Sequence, residues 1–573
     1  MNGPRWGSPV RGCYILAIIV AAAIAIRVIP FWDDVFTPRG VWFTEADAWY
    51  YLRMVDYTVA NWPHHLTFDY YALYPGGKIT GYYPLLVWLV ALPGVLGRPG
   101  WVDTWAAVLP PLFSGVLVVL VYLWCREVLR GREDVSLVAA FLAALMPSEV
   151  MHRGILGFTD QHILEMVLWA STMLFITKAV NNKQWQYWLL ALLSLGLYLL
   201  NWHGGLFLVA VLGLWVFYKI YRYWPGLLLL GFPSLILLIV LYPGQVKQGL
   251  HLVALVFNGF GSDISEARPT DGLWLFMSYG LMSLFAFWGL YVMVKHREDS
   301  LFVISTLFLI LAVTGQRRWH YYLGMHIAIL AAYALVMVLE KLNTIDYRRW
   351  LQVAVVLALI GALIPGWWMI ARMPNNMTVD WWNALVWLRD NTPEPFNNPG
   401  AYYQPPDTPA SYGVLTWWDY GHWVIRVSHR VPTGSPAWQE VSFAYDFLAA
   451  QSDEDAGLAL VGYDVRYVIV DREMVEGQFS KVVKKYKGTD ENWQTLRPPS
   501  MANRLYTTNE AGGYYLAYQS GDVKVFERGV KFTLARECLK EYTSPQRNRG
   551  GIKCSTSNGS LCSGVLLLRE VAK

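Results

Sequence analysis

Charged residues are scarce in this chain, since Asp, Glu, Lys and Arg together make up only 15% of its 573 residues. A soluble globular protein carries about one quarter, so the composition excludes that class. Hydrophobic residues reach 55% and the mean hydropathy is +0.30. We therefore predict an integral membrane protein, whose length is too great for a single domain.

The chain also lacks any block rich in Lys and Arg, and its formal net charge is only +4. Proteins that bind nucleic acid neutralise phosphates with such blocks, so we expect no nucleic-acid partner.

Cysteine is rare too, with five residues in the whole chain. Cys554 and Cys562 are close in sequence and could form a disulfide if the C-terminal tail is extracytoplasmic. Cys538 would then be left over, or would itself be one of the pair. The sequence leaves this connectivity open.

Long apolar runs are what the chain has in abundance. The first run, Cys13–Phe31, follows Arg5 and Arg11 and is long enough to span a bilayer. We count eleven spans, and an odd number places the two termini on opposite sides of the membrane. The other ten are predicted at about 105–124, 135–150, 161–180, 185–200, 203–221, 225–242, 271–294, 300–315, 320–340 and 350–371.

Basic residues set the predicted orientation, because loops that stay in the cytoplasm are enriched in Lys and Arg. Every loop that this count places in the cytoplasm is basic, so we predict a cytoplasmic N-terminus in the plasma membrane. The loops left outside include 32–104, with an interfacial helix at Tyr83–Leu96, and 243–270. Arg317 and Arg318 are the basic exceptions on the outer side.

From Met373 onward the composition shifts to Asn, Pro, Gly, Asp and Tyr, which indicates a soluble domain. The predicted fold is therefore a polytopic α-helical membrane domain, residues 1–372, followed by an extracytoplasmic mixed α/β domain, residues 373–573. Hydrophobic periodicity predicts helices at Thr378–Asp390 and Asp471–Lys484, a strand at Tyr463–Val470, a hairpin at Gly512–Phe526 and an apolar stretch turning helical in Val414–Arg430.

Trp417-Trp418-Asp419-Tyr420-Gly421, hereafter the pentapeptide, is the most conspicuous stretch of the C-terminal domain. Its indole rings offer flat apolar walls with one N–H donor each, and Asp419 offers an acceptor. These residues could form a pocket for a short polar group that carries some apolar surface. The alternative is a tryptophan-rich packing corner.

Three acidic groups fall on the predicted outer side: Glu45-Ala46-Asp47, Asp160-Gln161-His162 with Glu165 one turn on, and Asp263-Ile264-Ser265-Glu266. Each has a structural alternative: solvated loop charges for the first, a helix N-cap for the second and a capping box for the third. Carboxylates near membrane depth nevertheless tend to mark functional sites.

Two carboxylates and an imidazole can hold a divalent cation, for which oxygen ligands favour Mg²⁺ or Mn²⁺. His162 tilts the choice toward Mn²⁺ without excluding Zn²⁺. A cation at the outer face suits a substrate that bears phosphate, and Arg317 or Arg318 could pair with that phosphate. The alternative for both arginines is interfacial anchoring beside Trp319 and Tyr321.

These motifs, in this order, resemble the catalytic subunit of oligosaccharyltransferase in its archaeal single-subunit form, over nearly the whole chain. Glu45-Ala46-Asp47 is similar to the first acidic motif of that family, and Asp263–Glu266 to its external-loop motif. Gly157–His162 is similar to the second motif, with His162 in place of its second carboxylate, which leaves the identity of the metal open. The pentapeptide matches the family hallmark without departure, and Asp471–Met474 resembles the helix motif beside it.

The resemblance implies thirteen spans rather than eleven, and transfer of a preassembled glycan from a dolichol-type phosphate or diphosphate carrier to Asn in Asn-x-Ser/Thr. By the same resemblance, Asp47 and Glu266 would act on the Asn amide in an inverting displacement, without accessory subunits. Asp47, Asp160 and His162 would bind Mn²⁺ or Mg²⁺, and Arg317 or Arg318 would bind the donor phosphate. The Ser/Thr hydroxyl of the sequon would be bound by Trp417, Trp418 and Asp419. The methyl group of Thr would be contacted by Met474.

Two rival functions remain at this point. Another glycosyltransferase that uses lipid-phosphate sugars, such as a protein O-mannosyltransferase, would share the acidic groups without needing the pentapeptide. A transporter or flippase would need charges deep within its spans, whereas here Arg27 is almost alone there. The chain itself carries two sequons, at Asn376 and Asn558, whose glycosylation the sequence leaves open.

Overall fold

A computed structural model describes residues 9–223, 269–270, 278–342, 377–437, 442–478 and 499–529, together with parts of 349–370. Asp263, Glu266, the span predicted at 225–242, both sequon asparagines and the three C-terminal cysteines lie outside these residues. The chain divides into two compact units. The first, the membrane unit, comprises Met1–Glu45 and Tyr82–Asn375, and the second, the globular unit, comprises Ala46–Gly81 and Asn376–Lys573.

The membrane unit is helical over most of each predicted span that the structure describes. Five helical stretches in the described residues are long and apolar enough to cross a membrane, and the architecture is that of a polytopic helical membrane protein. They are Val10–Val35, Pro99–Val128, Gln161–Asn182, Gly205–Tyr223 and Arg317–Leu342. Other helices of this unit are Pro84–Val95, Glu133–Leu145, Glu149–His152, Trp185–Asn201, Leu281–His296 and Ser300–Gly315.

Local chemistry explains several of these helix boundaries. The helix predicted at 135–150 ends at Leu145, because Met146 is extended before Pro147 and a residue before proline avoids the helical region. Asp160 and Asp299 cap the helices that follow them by accepting a backbone N–H, which satisfies a donor that the first turn leaves unpaired.

Small side chains let the first helix approach its neighbours closely. Ala23, Ala140 and Ala144 are fully buried in one cluster with Val118, and small residues at such contacts favour close helix packing in membranes. Arg27, the charge within the first span, donates hydrogen bonds to the carbonyl oxygens of Ala23 and Ala144 at 3.0 and 2.8 Å. Arg27 therefore links the first helix to the end of the helix Glu133–Leu145 through its side-chain hydrogen bonds.

The globular unit contains, in its described residues, a five-stranded mixed sheet. Val465–Val470 pairs in parallel with Gly413–Leu415 and antiparallel with Val523–Arg528. Tyr514–Ser520 then pairs with Val523–Arg528, which confirms the predicted hairpin, and Glu510–Ala511 forms the edge. Helices of this unit are Val379–Asn391, Gly421–Ser428, Ser442–Ala449, Asp453–Ala459 and Met501–Thr507, with a π-helical turn at Met474–Gln478.

The segment Ala46–Gly81 belongs to the globular unit rather than to the spans that flank it. Its helix, Ala46–Ala60, carries Arg53, which is buried and pairs with Asp69 at 2.9 Å. The Arg53 guanidinium also lies 4.0 Å from the ring centroid of Tyr402. Because Asp69 balances the buried charge of Arg53, this pair helps to hold the segment in place. The predicted loop 32–104 is divided between the two units.

Candidate active site

Asp160 and His162 come together at the start of the helix Gln161–Asn182 in the membrane unit. Asp160 is the N-cap, and its Oδ1 accepts the backbone N–H of Gln161. Its Oδ2 lies 3.1 Å from His162 Nε2, and both side chains are almost fully buried. The capping role therefore occupies one oxygen of Asp160 and turns the other toward the imidazole.

Glu165 lies on the far side of the same imidazole, one helical turn on. His162 and Glu165 are three residues apart and so share a face of the helix, and Glu165 Oε1 lies 3.3 Å from His162 Nδ1. Tyr321 donates a hydrogen bond to Glu165 Oε2 at 3.0 Å, and Tyr322 donates to the same oxygen at 2.6 Å. The His162 ring is thus contacted by a carboxylate on each of its nitrogens.

Arg317 and Arg318 lie in the short 3₁₀ turn Arg317–Trp319, directly before the helix that carries Tyr321. Both side chains are half-buried. The guanidinium of Arg318 lies 5.7 Å from the ring centroid of Trp202, a stacking that restricts its orientation. Because Tyr321 Oη is 3.2 Å from His162 Nδ1, this helix start links the two arginines to the Asp160–His162 pair within one unit.

Asp47 lies in the first turn of the helix Ala46–Ala60, in the globular unit. Its Oδ1 is 3.4 Å from Nδ1 of His422, the residue that directly follows the pentapeptide. The His422 side chain is completely buried and stacks on Tyr50 with ring centroids 4.8 Å apart, whereas 37% of the Asp47 side chain is exposed. His422 therefore contacts Asp47 from the interior and leaves the outer part of the carboxylate open.

The pentapeptide adopts a 3₁₀ turn, Trp418–Tyr420, that runs into the helix Gly421–Ser428. Trp417 is buried and its Nε1 donates to Asp419 Oδ2 at 2.9 Å. Trp418 is half-buried beside it, with ring centroids 5.6 Å apart. Part of the stretch is thus a packing corner, yet Trp418 and Asp419 keep some exposure next to a small cleft. Thr416, Trp417, Trp418, Gly434, Ala444, Tyr445 and Leu448 line this cleft.

Burial raises the pKa of the Asp419 carboxyl from its ordinary value to about 6. The hydrogen bond from Trp417 acts in the opposite direction, while the negative charges of Glu473 and Asp47 raise the pKa further. Because the charge of Asp47 raises the pKa of Asp419, these two carboxylates share one electrostatic neighbourhood. A carboxyl with such a pKa is largely ionised at neutral pH and is a hydrogen-bond acceptor there.

Asp471 connects Met474 to the pentapeptide. Its side chain is buried and accepts the backbone N–H of Met474 at 2.8 Å and Nε1 of Trp381 at 2.7 Å. Tyr420 also hydrogen-bonds to it. Met474 is buried, with its sulfur 3.8 Å from the Thr416 hydroxyl. Met474 is therefore a neighbour of the residue that precedes the pentapeptide.

Sequence reasoning missed His422, Tyr321 and Tyr322 as members of these clusters. His422 directly follows the pentapeptide, and this position was a weak signal that its ring belongs to the site. Tyr321 and Tyr322 sit 156 and 157 residues from Glu165 and follow Arg317–Trp319, where they read as interfacial aromatics. Only the tertiary fold brings them to the carboxylate.

Asp160 and His162 fit a small divalent cation in their donor chemistry and their spacing. Neighbouring ligands of an octahedral cation with bonds of about 2.1 Å lie roughly 3 Å apart, which matches the 3.1 Å between Asp160 Oδ2 and His162 Nε2. Within the described ranges no group of three or more His, Cys, Asp or Glu residues could hold a metal ion. The pair could therefore supply two ligands, and a third would have to come from elsewhere, as from Asp47 in the sequence prediction.

Two sequence models of protein families match the chain. One is described as oligosaccharyl transferase STT3, N-terminal, and matches residues 16–372, and the other is described as AglB core domain and matches residues 378–475. Among similar proteins, dolichyl-phosphooligosaccharide-protein glycotransferase 3 of Archaeoglobus fulgidus is 27% identical, over 83% of this chain and 71% of its own length.

Solved structures of the Archaeoglobus fulgidus oligosaccharyltransferase share the fold. The form tethered to an acceptor peptide that contains the NVT sequon superposes with a TM-score of 0.74 at 22% identity, covering 100% of this chain and 84% of that one. The complex with Zn and sulfate superposes with a TM-score of 0.70 at 24% identity, covering 88% and 79%.

Proposed function

The chain belongs to the oligosaccharyl transferase STT3 family, and from this we propose that it transfers a preassembled glycan to the Asn side-chain amide of Asn-x-Ser/Thr. It is a glycosyltransferase and a multi-pass membrane protein. The donor is a glycan on a dolichol-type phosphate or diphosphate, as the name of the Archaeoglobus fulgidus relative indicates for that protein. The reaction takes place on the extracytoplasmic side, with the N-terminus in the cytoplasm.

One observation supports this function most directly: Asp47 and the pentapeptide share the globular unit and meet through His422. A sequon places its Asn and its Ser/Thr two residues apart, and two extended residues span about 7 Å. The enzyme needs an acceptor for the hydroxyl and a carboxylate for the amide within that reach. Asp419 and Asp47 lie in one electrostatic neighbourhood and suit these two tasks.

The chemistry assigned to Asp47 and Glu266 answers the poor nucleophilicity of an amide nitrogen, whose lone pair is delocalised into the carbonyl. Two carboxylates that accept hydrogen bonds from the two amide N–H groups would hold the nitrogen out of conjugation. The nitrogen then attacks the anomeric carbon, the bond to the phosphate oxygen breaks, and a carboxylate takes the amide proton. A single displacement of this kind inverts the anomeric configuration without a covalent enzyme intermediate.

A divalent cation, Mn²⁺ or Mg²⁺, would be held by Asp160 and His162 with Asp47 as a further ligand. When bound, it supplies Lewis acidity that stabilises the negative charge of the leaving phosphate. The 3.1 Å spacing of Asp160 and His162 supports the two-ligand part of this proposal. Arg317 or Arg318 adds a positive charge for the same phosphate, and their turn leads into the helix of Tyr321, which contacts His162.

Recognition of the sequon falls to the pentapeptide and Met474. The ionised Asp419 accepts the hydroxyl of Ser or Thr, and the half-buried Trp418 supplies an apolar wall. Met474 suits the methyl group of Thr, because its flexible thioether packs against irregular apolar surface. A site built around a hydroxyl rejects peptides that lack it, since its buried polar groups would remain unpaired.

The test is transfer to a fluorescent Asn-x-Thr peptide by the purified single chain, with lipid extract as donor and intact mass as the readout. Matched peptides carry Gln in place of Asn or Ala in place of Thr, and we expect neither to be modified. Glycan on the Gln peptide through its Thr hydroxyl would instead indicate an O-glycosyltransferase. Failure of the purified chain where crude membranes succeed would contradict single-subunit action.

A further inference from the structure

Glu165 is a fully buried carboxylate in the membrane unit, and the function proposed above gives it no task. Burying a carboxylate is unfavourable unless hydrogen bonds or opposite charge compensate it. The Tyr321 and Tyr322 hydroxyls compensate Oε2, at 3.0 and 2.6 Å, and the Tyr322 hydroxyl also hydrogen-bonds to that of Tyr198. Oε1 faces His162 Nδ1 at 3.3 Å.

This arrangement determines which nitrogen of His162 carries a hydrogen. Tyr321 donates its one hydroxyl hydrogen to Glu165 Oε2, so its oxygen can only accept from His162 Nδ1, which lies 3.2 Å away and must therefore be the nitrogen with N–H. In a neutral imidazole the other nitrogen, Nε2, then presents its lone pair. Nε2 is the atom that lies 3.1 Å from Asp160 Oδ2, on the side where the cation would bind.

The tyrosines also limit rotation of the ring. Tyr321 Oη lies 3.2 Å from His162 Nδ1, and the two rings have centroids 5.1 Å apart. A half-turn of the imidazole about its Cβ–Cγ bond would put Cδ2 in the place of Nδ1 and Cε1 in the place of Nε2, and would end the Nδ1 contact with the carboxylate and with this hydroxyl. Buried residues on two helices, Gln161–Asn182 and His320–Leu342, therefore favour one ring orientation.

We propose that Glu165 is a positioning residue that holds His162 with Nδ1 toward itself and Nε2 toward Asp160 and a divalent cation. Metal-binding histidines commonly donate their second N–H to a carboxylate, which orients the ring and strengthens the ligand. This inference rests on the assignment of His162 as a metal ligand in the proposed function.

The test measures Mn²⁺ binding to the full chain in detergent, by the loss of the free Mn²⁺ electron paramagnetic resonance signal. Glu165→Gln keeps the shape but removes the charge, and we expect its Kd for Mn²⁺ to rise about tenfold to a hundredfold, as is typical of such outer partners. The matched control is Glu340→Gln, a carboxylate of the same unit that pairs with Arg132 instead and whose loss leaves the Kd unchanged.

A second variant separates positioning from charge. Glu165→Asp keeps the charge and withdraws the carboxylate by roughly one C–C bond, so it should also weaken Mn²⁺ binding. In peptide transfer, both variants should need more Mn²⁺ for half-maximal rate yet approach the wild-type kcat at saturation, a split that mere structural damage would not produce.

A Kd within experimental error of wild type in either folded variant would overturn the proposal. Suppose that wild type binds Mn²⁺ and that Asp160→Asn weakens this binding whereas the Glu165 variants do not. Then only the positioning role of Glu165 fails. If wild type itself binds no Mn²⁺, the metal site of the proposed function fails and Glu165 loses its role with it.

Discussion

Each unit of the chain contains a histidine in contact with a carboxylate, and the two pairs differ in how they are enclosed. In the membrane unit His162 lies between Asp160 and Glu165, and all three are buried. In the globular unit His422 is buried, but its partner Asp47 is more than one third exposed. An enclosed pair suits a small ion whose ligands must not move, whereas an exposed carboxylate suits a peptide that arrives and leaves.

The difference suggests a division of tasks between the units. The membrane unit would hold the cation and the donor phosphate through Asp160, His162 and Arg317 or Arg318. The globular unit would hold the acceptor through Asp419 and Trp418 and act on its amide through Asp47. Asp47, as a proposed metal ligand too, is the residue that both tasks need, so changes there should be the most damaging.

Asp47→Asn should therefore have the largest effect, a fall in kcat of about 10³-fold, because both the amide and the cation lose a charged partner. Peptide binding by fluorescence polarisation should remain. Asp56→Asn is the matched control, since Asp56 lies on the same helix but pairs with Arg426 at 2.9 Å. Equal losses in the two variants would point to damage of the helix rather than to a role in catalysis.

His422→Ala should reduce kcat by about 10²-fold, since a misplaced reactive group can lose that much rate, while the KM for peptide changes little. The control is His429→Asn in the same region, where His429 stacks on Tyr402 and has a positive φ of 52° that Asn tolerates. A rise in peptide KM without a fall in kcat would mean that His422 supports the pentapeptide and not Asp47.

Asp419→Ala should raise the KM for an Asn-x-Thr peptide about tenfold, which corresponds to one hydrogen bond to a charged group. The kcat at saturating peptide should stay near that of wild type, because Asp419 does not act on the amide. An unchanged affinity for peptides with Thr would show that the pentapeptide is a packing corner only.

The raised pKa of Asp419, about 6, makes this contribution depend on pH. The carboxylate form accepts the hydroxyl, and it is lost as the pH falls through about 6, so the peptide KM should rise below that pH. Asp419→Asn has no such titration, and its KM should lack this rise. A KM that is flat between pH 5 and pH 7 in wild type (roughly one unit on either side) would contradict the assignment.

Met474→Ala should have the smallest effect, a loss of the preference for Thr over Ser peptides of about fourfold, the value of one buried methyl group at about 0.8 kcal/mol. Met474→Leu preserves apolar volume and should retain most of the preference. If Thr and Ser peptides respond equally to Met474→Ala, Met474 only supports Thr416 in the core of the globular unit.

Features with a local cause were predictable from sequence. The helix Val379–Asn391 begins where Thr378 caps it, the strand Val465–Val470 follows its alternation, and the family motifs identify the acidic residues. The pairing of Asp47 with His422 and of Glu165 with Tyr321 and Tyr322 was not predictable, because it depends on long-range packing that no local pattern encodes. The same holds for the assignment of Ala46–Gly81 to the globular unit, which rests on buried partners such as Arg53 and Tyr402.

The most direct measurement is peptide transfer by the purified chain with Mn²⁺ and peptide varied independently, in His162→Ala and Asp419→Ala. The division of tasks predicts a crossed result: His162→Ala raises the Mn²⁺ needed for half-maximal rate and leaves the peptide KM unchanged, and Asp419→Ala does the reverse. Transfer that persists in chelator at the wild-type rate, or variants that shift both constants together, would contradict it.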